Sequence, residues 1–175
     1  MKIIKILQDV SHSHWYWLAY ISGGLSLLAA ALFYQYQLEE LPCVVCIQVR
    51  LWISLIVIVS IAGLLFRKMA WLNAGLQIII LLSVIGLAER SYLLLGTERG
   101  FIFGDCGFDA GLPAWFAIEQ WLPWMYQVET SCGYTPEIIF GVTMAEALML
   151  LSAGLTLFSL SIVLVTIKEI ISNKT

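Results

Sequence analysis

Four long apolar runs, separated by short polar segments, dominate the pattern of hydrophobic and polar positions along the chain. No acidic or basic residue occurs from Val10 to Leu38, and the three later runs carry only isolated charges. A helix needs about 20 apolar residues to cross the hydrocarbon core, where every backbone group must pair within its own segment. The pattern therefore predicts transmembrane helices at about residues 16–35, 44–66, 69–95 and 144–167.

The one long polar segment, residues 96–142, contains a Trp-rich stretch that is too short to span a membrane. Pro113 is placed to open a short helix there and Pro123 to interrupt it. Trp115, Ile118 and Leu122 share one helical face, which favours a helix lying flat at the interface. Packing of a plain loop on the helix ends is the alternative. We expect a single-domain, all-α integral membrane protein over residues 1–175: a four-helix bundle whose long loop carries a short interfacial helix.

The first apolar run also resembles a signal peptide, because Lys2 and Lys5 precede it and Ala29–Ala31 is a possible cleavage site. The run is longer than the apolar region of a usual signal peptide. Trp15–Trp17 is typical of an aromatic anchor at the membrane surface. We therefore expect this segment to be retained as a span.

Composition and charge agree with a membrane protein and give its orientation. The chain is 61% hydrophobic and 12% charged, against about 25% charged in soluble domains. Its net charge of -3, without a basic patch, argues against a nucleic-acid partner. Six of the nine Lys and Arg residues flank the N-terminus, the 67–68 turn and the C-terminus. The positive-inside rule then predicts cytoplasmic termini and places the 36–43 and 96–142 loops outside.

All four cysteines fall in the segments predicted to face outward. Cys43 and Cys46 form a C-x-x-C pair at the start of the second span, and Cys106 and Cys132 lie in the long loop. Disulfides persist outside the cytoplasm, so these thiols are expected to pair. A two-residue spacer closes a ring too small to constrain much of the unfolded chain, which favours a redox-active Cys43–Cys46 pair. For Cys106 and Cys132 an inert structural bridge remains open.

Arg50 follows Cys46 by four residues and therefore shares its helical face. An arginine about one turn inside the membrane edge is costly, which indicates a function. Its charge favours the thiolate form of a nearby cysteine, as does the N-terminal end of the helix, and it suits an electron acceptor on which negative charge develops. Extension of the side chain to the lipid headgroups is the alternative.

No familiar redox cofactor or metal fits the remaining residues. The chain has no flavin or nicotinamide fingerprint, and no His follows Cys46 as c-type haem attachment requires. A zinc site normally has two close ligand pairs, whereas Cys106 and Cys132 are 26 positions apart, and His12 and His14 belong to the opposite face. We expect no metal. A quinone that reaches the pair through the lipid bilayer fits best.

These features together resemble the disulfide bond formation protein B (DsbB) family of inner-membrane quinone reductases. The resemblance covers nearly the whole chain: four spans, Pro42-Cys43-Val44-Val45-Cys46 followed by Arg50, and a cysteine pair in the second outer loop. Residues 140–144, Phe-Gly-Val-Thr-Met, also resemble the family's Leu-Gly-Leu-x-Met segment. The family reoxidises the periplasmic thiol oxidase DsbA, a thioredoxin-fold protein, and so helps to keep the periplasm oxidising.

The resemblance implies a role for each cysteine. Cys106–Cys132 is the loop disulfide that the reduced DsbA-like partner attacks, through Cys106. Cys43–Cys46 reoxidises the loop pair, with Cys43 exchanging with the loop and Cys46 passing electrons to ubiquinone or menaquinone. Arg50 holds the quinone and Met144 lines its pocket. The implied location is the bacterial inner membrane, with all four cysteines periplasmic.

The chain departs from the family pattern at two places. The His common where span three meets the outer loop is absent from residues 91–96, which leaves quinone contacts there open. The usual Pro after the span-four Met is Ala145, followed by Glu146, which is either a helix cap or a proton acceptor. Glu89 and Arg90 are expected to form a structural ion pair.

Two other functions remain as alternatives. A vitamin K epoxide reductase-like enzyme also combines C-x-x-C with a quinone, but there the motif follows the loop pair, whereas here it comes first. A non-catalytic membrane protein with two structural disulfides is the second alternative.

Overall fold

The structure is a computed structural model that describes residues 10–11, 13–102, 111–112, 117–131, 134–139 and 141–172. Its elements are, in chain order, α1 (His14–Gln37), α2 (Val44–Phe66), α3 (Ala70–Glu98), α4 (Ile118–Trp121), α5 (Pro123–Tyr126), β1 (Glu137–Ile139), β2 (Val142–Thr143) and α6 (Met144–Ser172). The helices α1, α2, α3 and α6 are long and apolar enough to cross a membrane. This confirms the predicted fold class, an all-α four-helix membrane protein.

The four long helices pack in the order α1, α2, α3, α6, each against the next. Close approach of α1 and α2 depends on small residues. A Cβ atom built on Gly63 would lie 2.5 Å from the ring of Trp17, which is fully buried, and one on Gly24 would lie 2.5 Å from Val57 Cγ2. Small residues that let helix backbones approach are typical of packing within lipid.

The described part of the long loop contains two short helices where the sequence predicted one. Helix α4 ends at Trp121 and α5 begins at Pro123, because proline has no N–H to continue the hydrogen bonding of the first helix. Trp121 and Trp124 are exposed, as an interfacial segment requires, while Tyr126 is buried. Pro113 and Trp115 lie outside the described residues.

Two polar contacts join the C-terminal end of α3 to the segment that leads into α6, and this segment contains a hairpin. Strands β1 and β2 pair in antiparallel fashion just before α6, an element that the sequence did not predict. Thr135 donates a hydrogen bond to Glu98, and Arg99 forms an ion pair with Glu146. Glu146 also accepts the Thr143 N–H (3.2 Å) while its own N–H donates to Thr143 Oγ1 (3.3 Å), a capping box. Of the two roles considered for Glu146, the helix cap is therefore formed.

Candidate redox site

The C-x-x-C pair sits at the first turn of α2, with its two sulfur atoms adjacent. Cys43 is the N-cap residue, and its Sγ accepts the Cys46 N–H at 3.3 Å. The two Sγ atoms are in contact at 2.7 Å, which is longer than the about 2.05 Å of a disulfide bond. The N-terminus of a helix stabilises negative charge, so this position favours a thiolate. The geometry suits a pair that alternates between dithiol and disulfide.

The two cysteines have different surroundings. Cys43 is buried and packs against Leu94 of α3 and Ala145 of α6. Ala145 is fully buried and lies directly in the packing around the pair. Cys46 is partly buried and faces a cavity. Only the second cysteine therefore lines the space that a bound molecule would occupy.

Arg50 is buried beneath the pair and is held by oxygen atoms of the protein. Its Nη1 donates to Gln35 Oε1 (2.6 Å) and to the Met125 carbonyl (2.9 Å), and its Nη2 donates to the Ala31 carbonyl (3.2 Å). The side chain is only 5% exposed, so it does not extend to the headgroups. A charge held in this way has a fixed position relative to the sulfur.

Cys46, Arg50 and Met144, three residues singled out from the sequence, line one cavity of about 390 Å³. Most of the remaining wall is apolar and comes from α1, α2 and α6. The 39–42 turn and residues 130–131, 134, 136 and 138 form its rim at the end nearest the C-x-x-C pair. The lining includes Leu27, Ala31, Val49, Ile53, Leu148 and Leu151. The cavity thus combines an apolar wall, a fixed cation and a thiol.

A second cavity of about 440 Å³ lies deeper, and its lining is almost entirely apolar. It shares Leu27, Ile53 and Leu151 with the first cavity. Its wall comes mainly from α1 and α6, which are linked nearby by a hydrogen bond between Tyr20 and Ser159 (2.6 Å). The two cavities are therefore neighbours along the axis of the bundle.

Cys106 and Cys132 lie outside the described residues, but the chain just before Cys132 is described and contacts the pair. Thr130 forms a parallel β-bridge with Cys43. The N–H groups of Glu129 and Thr130 donate to the Pro42 carbonyl at 3.0 and 3.3 Å. The two cysteine-bearing segments therefore meet through their main chains.

Several contacts around the site were not predicted from the sequence. Gln35, which accepts a hydrogen bond from Arg50, lies inside a charge-free run. Because a buried amide is stable only when it is hydrogen-bonded, its position in this run indicated a polar partner. Nothing in the local sequence predicted that Met125 would meet Arg50. Arg90 pairs with Glu89 (3.8 Å), as expected, and also donates to Gln48 of α2 (3.1 Å). Within the described ranges, no cluster of His, Cys, Asp and Glu fits a metal ion.

Comparison with known proteins agrees with this architecture. The chain is 28% identical to disulfide bond formation protein B of Psychromonas ingrahamii, over 98% of this chain and 92% of that protein. It is 28% identical to disulfide bond formation protein B of Vibrio parahaemolyticus, over 88% and 87%. It is 29% identical to disulfide bond formation protein B 2 of Pseudomonas aeruginosa, over 74% and 78%. The model of the family described as disulfide bond formation protein DsbB matches residues 13–162, so the chain belongs to the DsbB family.

Proposed function

We propose that the protein is a membrane thiol:quinone oxidoreductase that reoxidises a periplasmic DsbA-like thioredoxin-fold oxidase. The electrons pass to ubiquinone or menaquinone, and the activity supports disulfide formation in exported proteins. The observation that carries the proposal is that Cys46, Arg50 and Met144 line the same cavity. It adjoins a C-x-x-C pair whose outer cysteine contacts the loop of the second pair. Membership of a family named for disulfide bond formation supports the same conclusion.

The chemistry balances without another reactant. The partner's dithiol becomes a disulfide as the Cys106–Cys132 disulfide is reduced, with Cys106 forming the mixed disulfide. The loop thiols are then reoxidised by Cys43–Cys46 through Cys43, which leaves Cys43 and Cys46 as thiols. A quinone accepts two electrons and two protons and leaves as a quinol. The thiols of Cys43 and Cys46 supply both electrons and both protons as their disulfide reforms.

The residues around the first cavity fit the ring of a quinone. Arginine has five N–H donors, and three hydrogen bonds to described acceptors orient the Arg50 guanidinium beside Cys46. A cation at this point attracts a carbonyl oxygen on which negative charge develops. Met144 and the aliphatic side chains cover the apolar faces of the ring. Arg50 also stabilises the thiolate of Cys46, the form that donates electrons.

The second cavity fits the isoprenoid tail of a membrane quinone. Its lining is apolar, and it continues the first cavity inward along Leu27, Ile53 and Leu151. A flexible hydrocarbon chain needs apolar contact, which this wall provides, and it needs no hydrogen-bond partner. The arrangement favours a lipid-soluble oxidant over a soluble one.

The distribution of positive charge supports a location in the bacterial inner membrane with both termini in the cytoplasm. Lys and Arg cluster at the N-terminus, at Arg67–Lys68 and at the C-terminus. All four cysteines would then face the periplasm, where disulfides are stable. The periplasmic partner would reach the long loop without crossing the bilayer.

Turnover by the purified protein tests the proposal. The protein in detergent is mixed with reduced DsbA-like oxidase and ubiquinone or menaquinone, and the loss of quinone absorbance is followed. We expect catalytic quinone reduction that Cys46→Ser abolishes. Cys106→Ser should abolish reaction with the partner but leave quinone reduction by a small dithiol such as dithiothreitol. Full activity of both variants with the partner would refute the assigned roles.

A further inference from the structure

Residues 134–138, which we call the rim strap, form part of the wall of the first cavity. Three residues of the strap line the cavity, namely Tyr134, Pro136 and Ile138. Thr135 lies between the first two but is not part of the lining, and it is only 4% exposed. Its hydroxyl donates a hydrogen bond to Glu98, the last residue of α3. The strap is therefore anchored to α3 at a point between two of its cavity-lining residues.

A second contact ties the same region to α3 on the other side of the hairpin. The Met144 N–H donates to the Pro136 carbonyl at 3.0 Å, which joins the strap to the start of α6. Glu146, in the first turn of α6, forms an ion pair with Arg99. Arg99 directly follows Glu98 in the chain. Two adjacent residues at the end of α3 thus hold the chain before β1 and the chain after β2.

The two contacts differ in strength. A buried hydroxyl needs a partner, and a hydrogen bond to a carboxylate is stronger than one between neutral groups, so the Thr135–Glu98 contact is the main anchor. The side chains of Arg99 and Glu146 are 57% and 27% exposed, and ion pairs in such positions contribute little. A carboxylate at the C-terminal end of a helix is disfavoured by the helix dipole. The hydrogen bond from Thr135 offsets this cost at Glu98.

We propose that the Thr135–Glu98 and Arg99–Glu146 contacts form a latch that holds the rim strap against the first cavity, and that these four residues are positioning residues for quinone binding. This inference rests on the quinone site proposed above. None of the four residues lines the cavity, so they act through the three lining residues of the strap. A wall that is fixed before the ligand arrives loses less conformational freedom on binding. Loss of the latch therefore weakens quinone binding.

The test measures the Kd of a short-tailed ubiquinone for the full-length protein in detergent, without a dithiol, by quenching of tryptophan fluorescence. Thr135→Val keeps the shape of the side chain and removes its hydroxyl, and should raise the Kd about threefold to tenfold, the effect of one lost hydrogen bond to a charged group. Thr135→Ser keeps the hydroxyl and should leave the Kd close to that of the wild type. The matched control is Thr97→Val, because the Thr97 hydroxyl donates to the Leu94 carbonyl of its own helix (2.9 Å). The control should leave the Kd unchanged.

Double variants separate the two contacts. Thr135→Val should add no further loss in a Glu98→Ala background, because both changes remove the same hydrogen bond. Arg99→Met should raise the Kd about twofold, and this effect should add to that of Thr135→Val, because the ion pair is a separate contact. A wild-type Kd in Thr135→Val would overturn the inference. So would a Kd for Thr135→Ser as high as that for Thr135→Val, since the methyl group and not the hydroxyl would then hold the strap.

Turnover of quinone with dithiothreitol is measured separately on the wild-type protein, so that failure of the latch and failure of the proposed function are distinguishable. Quinone binding that depends on the Thr135 hydroxyl, without any turnover, would support the latch and refute the oxidoreductase. Turnover with the same quinone Kd in all variants would support the oxidoreductase and overturn the latch. Absence of quinone binding by the wild-type protein would overturn both.

Discussion

Replacing Gln35 by Leu removes the side-chain acceptor that holds Arg50 and keeps the size of the side chain nearly constant. The Arg50 Nη1 to Gln35 Oε1 distance is 2.6 Å, and both residues are buried. The substitution leaves the carbonyls of Met125 and Ala31 as acceptors. The guanidinium then retains its charge but loses its shortest restraint.

The size of the effect follows from the kind of bond. A hydrogen bond to a charged group contributes about 1.5–3 kcal/mol, and about 1.4 kcal/mol corresponds to a factor of ten. Because two other acceptors remain, we expect the lower end of this range. The apparent KM for quinone should rise about tenfold, with a smaller change in kcat, since Cys43 and Cys46 are untouched.

The assay is quinone reduction with dithiothreitol as the electron donor, which bypasses the loop cysteines. The matched control is Gln37→Leu, because Gln37 lies at the same end of α1 and is exposed. Thermal unfolding of each variant shows whether the bundle is intact. An unchanged KM in folded Gln35→Leu protein would refute the reasoning that Gln35 orients Arg50 for the quinone.

Three further predictions concern the cavities and the helix packing. Ala147→Leu places a larger side chain in the first cavity and should raise the KM for quinone about threefold or more in the same assay. The control Ala153→Leu, on the exposed face of α6, should leave the KM unchanged. Gly23→Leu adds bulk in the second cavity and should raise the KM for a long-tailed quinone more than that for a tail-less one; equal effects would contradict a tail site. Gly63→Ala meets the Trp17 ring and should lower the free energy of unfolding by about 1–3 kcal/mol in denaturant titrations. Gly75→Ala, which meets nothing within 4 Å, should be neutral or slightly stabilising, and equal losses would contradict the packing argument.

The sequence predicted the features that depend on local periodicity. Span length and charge depletion predicted the four helices, because lipid permits few alternatives. Helical spacing placed Arg50 on the face of Cys46, and the two residues line the same cavity. Met144 lines that cavity as well, although only the family resemblance indicated it.

The contacts between distant segments could not be predicted in this way. Gln35 and Arg50 belong to different helices, and Tyr126 and Ser54 are 72 positions apart. Such pairs depend on how the helices pack and on the path of the outer loop, which periodicity does not encode. The β1–β2 hairpin was missed because its strands are too short for an alternating pattern. The split of the loop helix at Pro123 agrees with the interruption predicted for that residue.

A single-turnover measurement tests the central claim most directly. The Cys106→Ser/Cys132→Ser variant, which keeps only the C-x-x-C pair, is reduced, freed of reductant and mixed without oxygen with a limiting amount of quinone. We expect one quinone to be reduced for each pair of thiols lost, with mass spectrometry assigning the new disulfide to Cys43–Cys46. Unreduced quinone, or quinone reduced while both thiols persist, would contradict electron transfer from this pair.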